Sequence, residues 1–235
     1  MKLPIITLDE VYHVGSLDRY RRKLGRFEAD ALSVSWCPNT WSTLAECEDL
    51  MFWKLPKVSG AFLDIGEVKM PIQREILKWA ERENLVERIS IYRAHVEDAA
   101  GSSGYYQHRS KNLAKRDSST VTKVRGWAST IKLDEARCLG GLDVMGWLAE
   151  DFAIMTFAEQ SGLDGVWWKW QFSPDERIAP KGCVFPSRLD SWVENKIRLK
   201  SRDLDDKLML KNFPKTNVIE ISSNLLRTSI EISVQ

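Results

Sequence analysis

The chain lacks most of the features that mark a function class at sight. No run approaches the roughly 18 uninterrupted apolar residues of a membrane-spanning helix, and the opening "MKLPIITLDE" has neither the long apolar run nor the small-residue cleavage site of a signal peptide. Both absences point to a cytoplasmic protein. Cysteine is sparse: Cys37, Cys47, Cys138 and Cys183 show no Cys-x-x-Cys spacing, which argues against a zinc knuckle or a disulfide framework and for reduced, structural thiols. Only His13, His95 and His108 carry imidazoles, too widely spread to predict a metal site. There is no Gly-x-x-x-x-Gly-Lys loop, no Gly-x-Gly-x-x-Gly, no His-Glu-x-x-His and no Gly-x-Ser-x-Gly. Net charge is also nearly absent. At +1, with 29% charged residues, the overall field favours neither nucleic acid nor membrane, so any polyanion contact must come from a local patch. Internal repeats and low-complexity tracts are missing too.

What is present is an ordinary globular core, 43% hydrophobic over 235 residues, with ten tryptophans. Helical and strand periods alternate, which predicts a mixed α+β fold. "VYHVGS" reads as a strand ending at a glycine. "ADALSVSW" alternates about Leu32 and Val34 and runs into "CPNTW", where Asn39 or Thr40 is expected to cap a short helix. "LMFWKL" is a strand closed by Pro56. In "MPIQREILKWAERENL" the residues Ile72, Ile76, Leu77 and Ala80 share one helical face, with Pro71 in the first turn. A strand follows in "ERISIYRAHVED", changing face near its end. Residues 99–119 have no apolar period and predict a long surface loop. "VTKVRGWASTIKL" resumes as a strand with Gly126 at a bend or bulge. A helix then presents Val144, Leu148, Phe152 and Met155 and stops at Gly162, a central strand follows in "LDGVWWKWQF", and "GCVF" offers another. From Ser191 the character changes to a charged, helical stretch and two β-alternating runs, so a first domain is set at 1–190 and a C-terminal extension at 191–235.

Three short stretches carry a resemblance: Tyr12-His13-Val14-Gly15; Leu32-Ser33-Val34-Ser35 with Pro38 and Trp41 after it; and Gly162-Leu163-Asp164-Gly165-Val166-Trp167-Trp168. In this order the chain resembles the diphtheria-toxin-like branch of the ADP-ribosyltransferase fold. Members of that branch carry a strand histidine as Tyr-His-Gly or a near variant, then a strand ending in Ser, Thr or Tyr, then an acid at or after a late strand. Here a valine precedes the glycine, and the late positions are Lys169, Trp170 and Gln171, none of them acidic. The resemblance implies a split two-sheet core with peripheral helices and a cleft for NAD as co-substrate, without a metal. It implies that His13 holds the adenosine ribose, that Ser33 or Ser35 meets the carboxamide or a ribose, and that Trp41 with Tyr105 or Tyr106 walls the nicotinamide. Gln171 or Asp175 would face the reacting sugar, where an oxocarbenium-like cation develops. Tyr12 alternates to the other side of its strand and is expected to pack.

Two basic segments bear on the partner. "RYRRKLGR" places Arg21 and Arg22 just after the His13 element, and "HRSKNLAKR" places Arg109, Lys111, Lys115 and Arg116 after two tyrosines. Basic loops interleaved with aromatics suit single-stranded nucleic acid. The expected function is therefore NAD-dependent transfer of ADP-ribose to a macromolecule, whether RNA, DNA or protein. Small proteins resembling this fold are often toxins of toxin–antitoxin or antiphage systems, or phage effectors, which implies an antitoxin or inhibitor as a further partner. The alternative is a non-catalytic protein of this fold that recognises nucleic acid or a protein; a third expectation is an unrelated structural or phage-assembly protein.

Overall fold

The computed structural model describes residues 1–18, 31–44, 47, 50–97, 103–130, 147–168, 171–172, 177–178 and 180–220. In chain order the first elements are β1 (Lys2–Val14), β2 (Leu32–Ser35), α1 (Pro38–Leu44), β3 (Phe52–Asp64), α2 (Met70–Arg82), β4 (Val86–Glu97), β5 (Ser103–His108), α3 (Lys111–Asp117) and β6 (Val121–Ser129). There follow α4 (Trp147–Gln160), β7 (Gly165–Trp168), β8 (Gln171–Phe172), β9 (Arg177–Ile178), β10 (Lys181–Val184), α5 (Leu189–Val193), β11 (Ile197–Leu199), α6 (Asp206–Lys211) and β12 (Asn217–Glu220). The architecture is mixed α+β. Two units can be distinguished: one comprises Met1–Gln73, Ala136–Cys138 and Met155–Gln235, the other Arg74–Glu135 and Leu139–Ile154. Among the described residues no helix is long and apolar enough to cross a membrane.

In the first unit β3 pairs with β1, β1 with β2, β2 with β10, β10 with β7, and β7 again with β3, so five strands close on themselves. β11 joins β3 and β12 joins β1. All these pairings are antiparallel except β3 with β7. A parallel pair needs a long crossover, and residues 65–164 provide it. Alternation along the strands sends Val11, Leu32, Val34, Leu55, Phe62, Trp167 and Val184 into one core cluster, to which α5 adds the fully buried Trp192. Gly60 makes room for that indole: a Cβ there would lie 2.1 Å from Trp192 Cζ2. Asp164, also buried, ties the neighbourhood together. It accepts from the Ala61 amide at 2.8 Å, from Trp192 Nε1 at 3.2 Å and from Lys57 Nζ.

Several local expectations change in the folded chain. β3 does not stop at Pro56 but continues to Asp64, because β1 slips register between Leu8 and Glu10 opposite this stretch, and such an irregularity tolerates a strand proline. The amide of Ser59, at φ +54°, donates to Asp9 Oδ1 at 2.9 Å and fixes the irregularity. α1 starts at Pro38, and its first amides are capped from far along the chain: Asn39 N and Thr40 N both donate to the Asp206 carboxylate. The stretch from Ser191, expected as one charged helix, is divided among α5, β11 and α6, and residues 197–220 contribute strands to the main sheet. Trp36 Nε1 donates to the Met209 carbonyl, and Phe213 stacks on Trp167 with centroids 5.7 Å apart.

α4 buries Ala149, Ala153, Ile154, Phe157 and Ala158 rather than the Phe152 and Met155 stripe. Its apolar residues run nearly round the helix, so periodicity alone could not choose the face; Val144 lies outside the described residues, and the Leu148 side chain is not described. Its end is as expected. Gly162 has φ +80°, its amide donates to Glu159 O, and Leu163 N donates to Ala158 O, a Schellman closure.

In the second unit β4 lies between β5 and β6. α2 buries Ile76, Leu77, Trp79 and Ala80. The stretch expected to be a surface loop contains β5 and α3. It escaped notice because β5 is an edge strand largely exposed on both faces, and α3 buries only Ala114. Ser110 caps α3, accepting from Asn112 N at 3.2 Å. Gly126 is no bulge: it pairs regularly with Ile89, and a Cβ there would lie 2.5 Å from Ile91 Cδ1. Glycine is needed for packing at this point, not for a bend.

Asp151 on α4 has its carboxyl pushed up to about 6, first by burial and then by the neighbouring Glu150. A raised acid destabilises the folded state wherever it must ionise. The penalty is fully present above about pH 6, shrinks as pH falls through the folded value, and vanishes below the ordinary value near 3.8. Asp151→Asn is therefore expected to raise stability at pH 7.5 by up to about 3 kcal/mol and to leave it unchanged near pH 3.5. Urea unfolding at the two pH values measures the difference; an equal effect at both would assign it to something other than ionisation.

Candidate functional site

β2 is only four residues long, yet it lies between the strand that carries His13 and the strand that carries Lys181. The registers place Tyr12 opposite Ser35, Ser35 opposite Lys181, and Lys181 opposite Trp168. Directly opposed residues project to one face. Four side chains from four distant segments thus form a lateral row across β1, β2, β10 and β7. α1 adds a fifth: Lys181 Nζ lies 4.9 Å from the ring centroid of Trp41 and 4.8 Å from that of Trp168. A buried ammonium between two indole faces gains about 2 kcal/mol or more from each well-desolvated cation–π contact. Asp206, by holding the first amides of α1, fixes where Trp41 sits.

His13 is buried, and both ring nitrogens face carbonyl oxygens: Nδ1 is 2.8 Å from Ser33 O and Nε2 is 3.1 Å from Ser16 O. A neutral imidazole carries one N–H and can donate to only one of them. In this arrangement the ring holds the end of β1 against β2 and against the turn at Gly15, whose φ is +117° and whose amide donates to Met51 O at 2.8 Å. Tyr12 is also packed. Its hydroxyl donates to Glu10, which pairs with Lys54, and its ring meets Trp36 edge-on with centroids 6.1 Å apart. Burial first, and then Glu10, hold the phenol well above its ordinary range.

The two serines differ. Ser35 Oγ donates to Pro180 O at 3.0 Å and accepts from Cys37 N at 3.1 Å, which joins β2, β10 and the start of α1. Ser33 Oγ is buried and has no hydrogen-bond partner among the described residues, although its own carbonyl receives His13. An orphaned hydroxyl beside the row is an unspent donor and acceptor. Cys37 is inert here: burial, with Asp206 adding to it, pushes the thiol up to about 12, far from thiolate chemistry.

The remaining expected residues fall elsewhere. Tyr105 and Tyr106 lie on β5 of the second unit and are exposed. Arg109 pairs with Glu87 at 3.1 Å, and Lys111, Lys115 and Arg116 are exposed on α3. Gln171 lies on β8, paired through its backbone with Ile178 on β9, but its side chain is not described; Asp175, Arg21 and Arg22 lie outside the described residues. Asp164, the acid just ahead of β7, is committed to Lys57, Ala61 and Trp192. Lys181 carries no local signal of its role, because lysine is seldom buried and this one sits in a proline-punctuated stretch. Trp168 stood out only as part of an indole-rich strand.

Comparison with protein-family models, with curated proteins and with solved structures returned no match. The site must therefore be read from its own chemistry. The row holds hydroxyls, a phenol kept protonated and a cation clasped by two indoles, while the His13 imidazole alternates to the opposite face of β1. The gap between the two indoles is filled by the Lys181 ammonium.

Proposed function

We propose that this protein is an NAD-dependent ADP-ribosyltransferase acting on a macromolecule. The observation that carries the reading is the Trp41–Lys181–Trp168 stack on the face that Ser33 shares: the Lys181 ammonium is complementary to the anionic diphosphate of NAD, and the flanking indoles supply aromatic surface for a planar ring. On this reading Ser33 offers its hydroxyl toward the carboxamide or a ribose, Ser35 braces β2 against β10 and the start of α1, and His13 acts through the strand end that it holds. The role at the reacting sugar is assigned to Gln171 or Asp175 on the resemblance alone. In the reaction the bond between C1′ of the ribose and the nicotinamide nitrogen breaks, and its electron pair leaves with nicotinamide and neutralises the ring. A lone pair on an acceptor oxygen or nitrogen forms the new bond to C1′, and the acceptor's proton passes to solvent.

Two observations favour a second reading, a non-catalytic binding protein: both nitrogens of His13 face backbone carbonyls, and the lateral row of Tyr12, Ser35, Lys181 and Trp168 contains no carboxylate. Labelled NAD separates the two. Incubation with RNA, single-stranded DNA and lysate protein is expected to label one polymer and release nicotinamide in equal amount, with Trp41→Ala lowering the rate at least about tenfold, as loss of a cation–π wall implies. Absence of label, of nicotinamide release and of calorimetric NAD binding would remove the transferase reading.

A further inference from the structure

We infer that one face of the β5–β4–β6 sheet in the second unit binds single-stranded nucleic acid. The registers of this sheet pair Arg88 with Trp127, Ser90 with Arg125, and Tyr92 with Lys123, and place Tyr106 opposite Ala94. Alternation puts all of these on one face. The cations and rings interleave there: Arg88 Cζ lies 4.7 Å from the Trp127 ring centroid and Lys123 Nζ lies 6.0 Å from that of Tyr92. Tyr106 is 59% exposed, and Arg88, Lys123 and Arg125 are exposed beside the half-buried Tyr92 and Trp127.

Charge complementarity selects the occupant. The two glutamates of β4, Glu87 and Glu97, alternate to the opposite face. Among the described residues no carboxylate pairs with Lys123 or Arg125, and Arg88 meets Glu81 only at 3.9 Å, in an exposed contact that a phosphate can replace. A molecule of net charge +1 thus concentrates three cations on one strip. Interleaved rings and cations are what a flexible polyanion with stackable bases needs, since phosphates meet Lys and Arg while bases lie on aromatic faces. Duplex hides its bases from such a platform. α3, which displays Lys111, Lys115 and Arg116, is tied to the same face through His108 Nε2 and Asp117 Oδ2, 2.7 Å apart. The inference rests on the transferase reading only for the suggestion that this polymer is the acceptor; the binding surface stands without it.

The test is fluorescence anisotropy of labelled 12-nucleotide RNA and DNA strands with the full chain in the absence of NAD, together with a matched duplex and an acidic peptide. Both single strands should bind more tightly than the duplex or the peptide, with RNA against DNA deciding which source is preferred. Trp127→Ala is expected to weaken binding about tenfold through lost stacking. Lys123→Gln with Arg125→Gln should flatten the dependence of log K on log salt by about 1.4, at about 0.7 per phosphate contact on a single strand. Lys207→Glu, on α6 of the first unit, should leave affinity unchanged, and circular dichroism verifies that each variant is folded. Equal affinity in the wild type and the folded sheet variants, tighter binding of the acidic peptide, or no binding in low salt overturns the inference. Strand binding without transfer from NAD would sink only the transferase reading, whereas transfer to protein without strand binding would sink only this one.

Discussion

Asp164→Ala is expected to lower the stability of the protein by about 3–5 kcal/mol, the range found when one partner of a buried, hydrogen-bonded ion pair is removed. Three groups depend on this carboxylate. Lys57 Nζ would keep a largely buried ammonium without its counter-charge, the Ala61 amide would lose its acceptor inside β3, and Trp192 Nε1 would be stranded in the core. Each is costlier to leave unmade than it was valuable when made. Because a domain of this kind has about 5–15 kcal/mol in total, the variant should unfold at markedly lower urea concentration or fail to accumulate. Trp192→Phe gives the contrast: it deletes one donor, keeps most of the packing, and should cost about 1–2 kcal/mol. If Asp164→Ala cost no more than Trp192→Phe, the carboxylate would not be the centre of this network.

Gly165→Ala should be comparably severe, at about 3 kcal/mol or more, for a different reason. β7 approaches β10 so closely that a Cβ at 165 would lie 1.8 Å from the Cys183 carbonyl oxygen and 2.9 Å from Phe62 Cε1. The obstacle is backbone within a paired sheet, so no rotamer change relieves it. The strand must separate or the closed ring must open, and overpacking of a rigid core costs upwards of about 1–3 kcal/mol even when side chains can shift. Gly104→Ala is the control, since a Cβ there meets nothing within 4 Å on the exposed strand β5; it should leave stability within about 0.5 kcal/mol of wild type. Thermal unfolding of both variants settles the matter, and similar melting temperatures would mean that the sheet yields more easily than its geometry suggests.

Elements with a strong internal period were legible from residue types alone. Ile76, Leu77 and Ala80 mark the buried side of α2, and Gly162 ends α4 through the left-handed conformation that a helix stop requires. β7 announced itself as an unbroken apolar run and is buried along its whole length. The change of face near the end of β4 was also visible, with Ile91 buried on one side and Ala94 on the other. β5 and α3 were not, because an edge strand and a two-turn helix bury too little to imprint a period on their sequence.

The candidate site divides along the same line. Composition and short motifs brought His13, Ser33, Ser35 and Trp41 forward as residues worth placing. The sequence by itself determined the strongly periodic segments, such as α2, β4 and β7, and the stop of α4 at Gly162, since those follow from periodicity and glycine chemistry acting over a few residues. Only the tertiary structure decided that five strands close into a ring, that Asp206 caps α1, that His13 faces the carbonyls of Ser33 and Ser16, and that Lys181 lies between Trp41 and Trp168. The reason is physical: lateral register is fixed by hydrogen bonds between separate segments, in the case of β2 and β10 more than a hundred residues apart, and such a bond leaves no local signature in either segment.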